Sequence, residues 1–284
     1  MRDFLNCLED YVRAQGWNTF SIAAAEGDGD SQSRELIPTN ACQNVYSIAK
    51  TYTMTAIGFL YDRGLVQPDT RIVDILNDEI PSDADERWGV CTVDMALRHR
   101  LGLPGGFLDI DCEPSTNFGE DFLTYLFKTP LIYDPDTDSR YSDGAYYLLS
   151  RIVGKISGQH LDDFLWKELF VKTDVLEVAM SHCPYGHPIG ASGLYIRSSD
   201  MVKLGQLYLL NGVYKGKRLL SEEWVKLVLD REYALNWDET HSVYSKGGMH
   251  GQKLVIDPVH GRAACMESFG ANGDLFINFV RDFK

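Results

Sequence analysis

One stretch constrains this chain more than any other. It runs Val45-Tyr46-Ser47-Ile48-Ala49-Lys50 and continues as Thr51-Tyr52-Thr53-Met54-Thr55-Ala56-Ile57-Gly58-Phe59-Leu60-Tyr61. Beyond Lys50 it carries no charge, and it is long enough for three to four helical turns, roughly 5.4 Å each. A helix apolar on nearly every side belongs inside a core rather than on a surface, so the rest of the fold must enclose it. Lys50 then opens a buried helix, and an unpaired buried charge is costly. Ser47 stands three residues before it, and residues three apart share a helix face. A serine hydroxyl becomes a nucleophile when a neighbouring base takes its proton. A lysine is such a base when burial or a second cation lowers its pKa. The helix N-terminus adds unpaired N–H groups that favour developing negative charge. A bare Ser-x-x-Lys arises by chance about once in a chain of this length, so the context carries the argument, not the spacing.

Around this segment the pattern alternates between helix and strand. Phe4, Leu8, Tyr11 and Val12 give residues 3–15 one apolar face, predicting a first amphipathic helix. A strand over 18–25, the turn-like Glu26-Gly27-Asp28-Gly29-Asp30-Ser31 and a second strand from about Arg34 follow. From Gly64 to about residue 185 the strand signal nearly vanishes. Short helices are predicted there at 71–76, 92–100, 121–127, 144–157 and 161–170, between loops rich in Gly, Pro and Asp. Alternation returns at 192–197, helices at 199–210 and 221–229, strands at 253–256 and 262–267, and a final helix at 272–283. This predicts an α+β fold in which both ends of the chain share one antiparallel sheet flanked by helices, with an inserted all-helical region. The expected division is 1–62 with 186–284 for the sheet domain and 63–185 for the helical domain, with the active site at their junction.

Composition narrows the partners. A formal net charge of −14 argues against nucleic acid and against anionic membrane. No apolar run approaches the roughly 18 residues that span a bilayer. Acids occupy the positions where a signal peptide would carry its apolar core. The six cysteines include no Cys-x-x-Cys pair, a reduced, intracellular pattern more than a disulfide framework. Together these predict a soluble, cytoplasmic protein. His182 and His187, flanking a turn-like stretch, are weak metal candidates, and no metal or cofactor is expected. Oligomeric state is not legible.

Two further stretches turn the lone pair into a pattern. Tyr141-Ser142-Asp143 leads into a helix, where a tyrosine can aim its hydroxyl at a cleft and move a proton. Alone it reads more readily as a buried tyrosine whose hydroxyl bonds the backbone. Lys246-Gly247-Gly248-Met249-His250-Gly251-Gln252 combines a cation with glycines that admit close backbone approach. Alone it reads as a hairpin turn.

In this order the three resemble the serine β-lactamase and penicillin-binding-protein-like superfamily, whose pattern is Ser-x-x-Lys, Tyr-x-Asn and Lys-Thr-Gly or a variant. The resemblance covers nearly the whole chain. Tyr46 through Thr53 is similar to the nucleophile segment of class C-like members. Leu97-Arg98-His99-Arg100-Leu101-Gly102-Leu103-Pro104-Gly105 resembles their His-containing loop. Ala191-Ser192-Gly193-Leu194 through Met201, and Asn211-Gly212 to Trp224, resemble their return to the sheet. Gly248-Met249-His250-Gly251-Gln252 is similar to the branch of esterases and aminohexanoate-oligomer hydrolases. The resemblance implies a β-lactamase/transpeptidase-like fold. It implies Ser47 as acylated nucleophile and Lys50 with Tyr141 as the proton-transfer pair, which of the two is the base staying open. Lys246 would supply positive charge, and the N–H groups of Ser47 and Met249 the oxyanion hole, with Gly248 and His250 beside it. The substrate would be a small ester, amide or peptide.

Two departures bear on substrate. Asp143 stands where the pattern has Asn, and an ionised carboxylate only accepts hydrogen bonds, whereas an amide also donates. A charged Asp143 would hold Lys50 protonated, against its use as a base. Gly247 stands where the pattern has Thr or Ser, removing a hydroxyl donor. Both weaken a β-lactam-hydrolysing reading. Asp143 would suit a substrate presenting an amine or amide N–H. Val171-Lys172-Thr173-Asp174-Val175-Leu176 lacks the usual Pro-Leu-Gly, consistent with a more open esterase or amidase. The competing reading is a binding or sensor protein that keeps the fold and has lost turnover.

Overall fold

The computed structural model describes residues 3–284. In chain order its regular elements begin with α1 (Phe4–Ala14), β1 (Thr19–Glu26), β2 (Gln32–Glu35), β3 (Gln43–Asn44) and α2 (Ala49–Asp62). Next come α3 (Ile72–Ile75), α4 (Val93–Leu97), α5 (Phe122–Lys128), α6 (Asp143–Ser157) and α7 (Leu161–Leu165). Then follow β4 (Val178–Met180), β5 (Leu194–Ile196), α8 (Ser198–Leu209), β6 (Val213–Tyr214), β7 (Lys217–Arg218) and α9 (Glu222–Arg231). The last are β8 (Asn236–Trp237), β9 (Tyr244–Gly248), β10 (Gln252–Asp257), β11 (Arg262–Ser268) and α10 (Gly273–Asp282). This is the α+β arrangement the sequence predicts.

The chain divides into two compact units. The first comprises residues 1–48, 169–179 and 194–284. Its sheet runs β2-β1-β11-β10-β9-β8, so the first and last strands of the chain lie side by side, Ile22 opposite Met266 and Ala24 opposite Ala264. Period-two alternation sends Ile22, Ala24, Val255, Ala264 and Met266 to one face, where they meet Phe4, Leu5, Leu8 and Val12 of α1 and Phe276 and Val280 of α10. α8 covers the opposite face, packing on β11, β1 and β10. Asp3 caps α1, accepting from the Leu5 N–H at 3.1 Å, and Asn272 caps α10.

The second unit comprises residues 49–168 and 180–193. α2 is its axis: every residue from Ala49 to Leu60 is buried, as the uncharged run requires, and α2 packs on α6 and α7. The sequence division grouped this helix with the sheet. Its all-round apolar surface instead needs the enclosure that the helices supply, so it falls in the helical unit.

Three local expectations change. The α-helix begins at Ala49, after a 3-10 turn over Tyr46–Ile48. The predicted helix at 161–170 is α7 followed by a π turn, Trp166–Phe170. A short strand, β4, lies in the region expected to be free of strands. No helix among the described residues is long and apolar enough to cross a membrane. No two of the six cysteines are bonded.

Candidate active site

In the helical unit the structure brings together Lys50, Tyr141 and Asp143. Lys50 is the second residue of α2 and wholly buried. Its ammonium donates to Asp143 Oδ1 at 2.6 Å and to the Ala191 carbonyl at 2.9 Å, and the Tyr141 ring centroid is 4.7 Å away. Burial alone would lower the Lys50 pKa. The Asp143 carboxylate and the Tyr141 hydroxyl, both bonded to the ammonium, outweigh it and hold the pKa above the ordinary lysine value. Lys50 is therefore an ammonium at neutral pH.

The loop before α6 fixes both partners. Ser142 caps the helix, its hydroxyl accepting from the Ala145 N–H at 3.3 Å. The Asp143 and Gly144 N–H groups both donate to the Phe107 carbonyl. Asp143 thus sits on the first turn of α6, where the helix dipole favours an anion. Tyr141 is 44% exposed, so its hydroxyl-bearing ring is open to solvent while its ammonium neighbour is not. His99 supports the ring, packing on it at 4.4 Å between centroids with the planes tilted by 36°. The His99 Nδ1 accepts the Ser142 backbone N–H at 3.3 Å, so that nitrogen carries no proton. The Arg140 N–H donates to the His99 carbonyl at 2.8 Å.

A second carboxylate stands behind the ion pair. Asp111 accepts a hydrogen bond from the Ser192 hydroxyl. Burial, with the nearby charges of Asp143 and Asp109, raises its pKa, and the Ser192 hydroxyl opposes this. Carboxylate oxygens of Asp109, Asp111 and Asp143 lie within 4.8 Å of one another. Three acids this close could hold a cation, but the Lys50 ammonium already provides one to Asp143. His182 and His187 are used otherwise, His182 Nε2 lying 2.9 Å from Asp162 and His187 stacking on His160.

Ser47, Lys246, Gly248, Met249 and His250 belong to the sheet unit. Ser47 is the middle residue of the 3-10 turn. The Val45 N–H, just before that turn, donates to the Leu194 carbonyl at 2.8 Å. On the other side β9 presses against it: a Cβ added at Gly248 would lie 2.3 Å from the Val45 carbonyl oxygen. Only glycine allows this approach. Tyr46 and His250, both with positive φ, meet edge to face at 5.2 Å, and His250 stacks on Phe269 at 4.4 Å. The Ser268 hydroxyl donates to the Gly251 carbonyl at 2.9 Å. These contacts hold the turn Met249–Gly251, which joins β9 to β10 and is kinked at His250. Lys246 is buried on β9.

Sequence reasoning singled out none of His99, Asp111, Ser192 or the Ala191 carbonyl as site groups. His99 and Ser192 fall within segments that carry the family resemblance, which was the available signal. Asp111 has none, since a lone aspartate in a loop is ordinary.

A family model described as Beta-lactamase matches residues 12–268. Penicillin-binding protein 4 of Amycolatopsis lactamdurans is 30% identical over 241 residues, covering 73% of this chain and 61% of that protein. The 6-aminohexanoate-dimer hydrolase of Paenarthrobacter ureafaciens is 24% identical over 249 residues, covering 75% and 62%. The chain therefore spans about three fifths of the length of these curated relatives. Among solved structures, a penicillin-binding-protein homologue from Caulobacter crescentus superposes with a TM-score of 0.74 at 15% identity, covering 98% of this chain and 96% of that one. At that identity the likeness concerns the fold.

Proposed function

Because the chain belongs to the beta-lactamase family, we propose that it is a serine hydrolase working through an acyl-enzyme on Ser47, with a small ester, amide or peptide as substrate. The observation that carries this reading is the buried Lys50 ammonium, bonded at once to Asp143 and Tyr141. Ser47 Oγ adds to the substrate carbonyl carbon, and its proton must leave. An ammonium has no lone pair with which to accept it, so the proton passes to the Tyr141 oxygen as the Tyr141 hydroxyl gives its own proton to the departing alcohol or amine. Lys50 and Lys246 contribute positive charge. The N–H groups of Ser47 and Met249 stabilise the oxyanion, a contribution of about 3 kcal/mol for such donors. Water then adds to the acyl-enzyme carbonyl; the Tyr141 oxygen takes a proton from it while the Tyr141 hydroxyl gives its own to Ser47 Oγ, and the bond to Ser47 breaks to release the acid.

Asp143 in place of an amide, and Gly247 in place of a hydroxyl residue, direct the proposal away from β-lactams. The name of one relative, a hydrolase of 6-aminohexanoate dimer, favours an amide.

A second reading rests on the same ion pair. Should an ammonium at Lys50 stop the proton transfer altogether, the protein is a binding or sensor form of the fold. Intact-protein mass after a fluorophosphonate, a p-nitrophenyl ester and a penicillin decides between them, with Ser47→Ala alongside. A Ser47-dependent adduct with p-nitrophenol release beyond one equivalent supports the hydrolase. A stable adduct without turnover supports the sensor. No adduct from any of the three removes both.

A further inference from the structure

The face of the sheet that carries α10 holds a cavity of about 510 Å³, within the usual range for a small-molecule pocket. It lies where β8, β9, β10 and α10 meet. Trp237, Ser245, Gly247, Lys253 and Asn278 line it.

Lys253 is its chemical centre. In the β9–β10 ladder Lys253 stands opposite Gly247 and Val255 opposite Ser245, so these four residues share one face, that of α10. Lys246 and Leu254 form the next pair and face the other way. Two glycines make room for the lysine. A Cβ at Gly273, the first residue of α10, would come 2.5 Å from Lys253 Cε, and one at Gly247 would come 3.0 Å from its Nζ. The stem therefore runs across Gly273 and the ammonium ends over Gly247, in the space a side chain at 247 would fill.

That ammonium makes no hydrogen bond or ion pair among the described residues, and neither the Ser245 hydroxyl nor the Asn278 amide makes a side-chain bond there. Burial lowers the Lys253 pKa, opposed by the charge of Asp274, which is too far away to pair with it. The other cations at the cavity are committed or turned away. Arg281 pairs with Asp238 at 3.2 Å and with Asp282 at 2.8 Å, and the Lys246 side chain faces the opposite side of the sheet. Asp238, Glu239 and Asp274 also line the cavity, and Asp238 is neutralised by Arg281, which leaves two carboxylates. One unpaired cation beside two carboxylates suits a monoanion and opposes a dianion such as phosphate. The Trp237 indole supplies an apolar wall.

We propose that this cavity is a binding site for a small carboxylate, whose oxygens take up the Lys253 ammonium, the Ser245 hydroxyl and the Asn278 amide while its apolar body lies against Trp237. The site is separate from Ser47 and does not depend on turnover.

Calorimetric titration of the whole chain with benzoate, and with benzamide as its uncharged counterpart, tests this. Benzoate is expected to bind at least about tenfold more tightly than benzamide, as a charge-assisted hydrogen bond would give. Lys253→Gln should abolish that preference and Lys253→Arg restore it. The preference should persist in protein whose Ser47 has reacted with a fluorophosphonate. Equal affinity for the two ligands in the unmodified protein, or a preference unchanged in Lys253→Gln, overturns the assignment. Loss of the preference on Ser47 modification also overturns it, by placing the anion at Ser47. Benzoate quenching of tryptophan fluorescence, lost in Trp237→Phe, would place the ligand against the indole. Quenching unchanged in that variant would contradict the stated orientation.

Discussion

The Lys50 ammonium and the Asp143 carboxylate stand 2.6 Å apart, with side chains 0% and 6% exposed, on the first turns of two different helices. Two opposite charges so deeply buried depend on each other, because either alone would lack its solvation. Asp143→Ala should therefore cost about 3 kcal/mol in urea denaturation. The double substitution Lys50→Met with Asp143→Leu should recover most of that loss. The pair also sets an alkaline limit. The folded pKa of Lys50 lies above its ordinary value of 10.5, so the stability it contributes is complete below that value. It is lost as pH rises through the folded pKa. The double variant should lack this alkaline loss.

In the proposed reaction His99 acts through Tyr141. It supplies a packed ring and an unprotonated nitrogen for the Ser142 N–H, from a backbone with φ of 56°. Asparagine tolerates that backbone region and places an acceptor oxygen where Nδ1 stands; valine does neither. His99→Val should lower kcat by about 10²-fold, within the range for a displaced proton-transfer group, and leave KM little changed. His99→Asn should recover part of kcat. Equal losses in both variants would mean that the ring packing, not the acceptor, holds Tyr141.

Adjacent glycines on β9 should respond in opposite ways. An alanine at 248 would drive its Cβ into the Val45 carbonyl, backbone that cannot move without shifting Ser47. Gly248→Ala should destabilise by about 2 kcal/mol and depress Ser47 labelling by a fluorophosphonate. At 247 the nearest atom is the tip of the flexible Lys253 side chain, so Gly247→Ala should label normally. Comparing labelling rates of the two variants checks this.

Glu267 makes stability pH-dependent near neutrality. It lies buried on β11, accepting a hydrogen bond from the Ser21 hydroxyl at 2.6 Å. Burial, helped by Asp200 and opposed by Ser21, raises its pKa from 4.5 to about 8. The folded state holds a proton that the unfolded state releases between these values. Stability therefore falls as pH rises from about 4.5 to about 8 and levels off above. Glu267→Gln, neutral throughout, should show a melting temperature nearly flat over that window. It should exceed the parent by several degrees at pH 8, where about 2 kcal/mol shifts Tm by that much in a chain this size.

What the sequence revealed follows from where each signal resides. α2 was legible because burial on all sides leaves a continuous uncharged record from Thr51 to Tyr61. The end strands were legible because β1, β10 and β11 carry short runs of apolar residues bounded by turn-like segments. β9 was not: Tyr244-Ser245-Lys246-Gly247-Gly248 has the composition of a turn, and its partners alone make it a strand. The link between Asp143 and Lys50 was anticipated as a possible charge effect, and the structure supplies the bond. Asp111 and the Ala191 carbonyl come from loops far from Lys50 in the chain, and no local pattern records such a meeting.

The neighbour relation of β1 and β11 has a consequence for synthesis. A ribosome delivers the chain from its N-terminus, so β1 and its hairpin partner β2 emerge more than two hundred residues before the strand that covers the open side of β1. Until then that edge offers unpaired N–H and C=O groups to any passing strand. β9, which presses Gly248 against the backbone beside Ser47, is also made late. About two hundred residues are thus added after Ser47 before the strand that shapes the turn around it is made. A protected sheet and a formed Ser47 turn are acquired together, once β9 to β11 have been made.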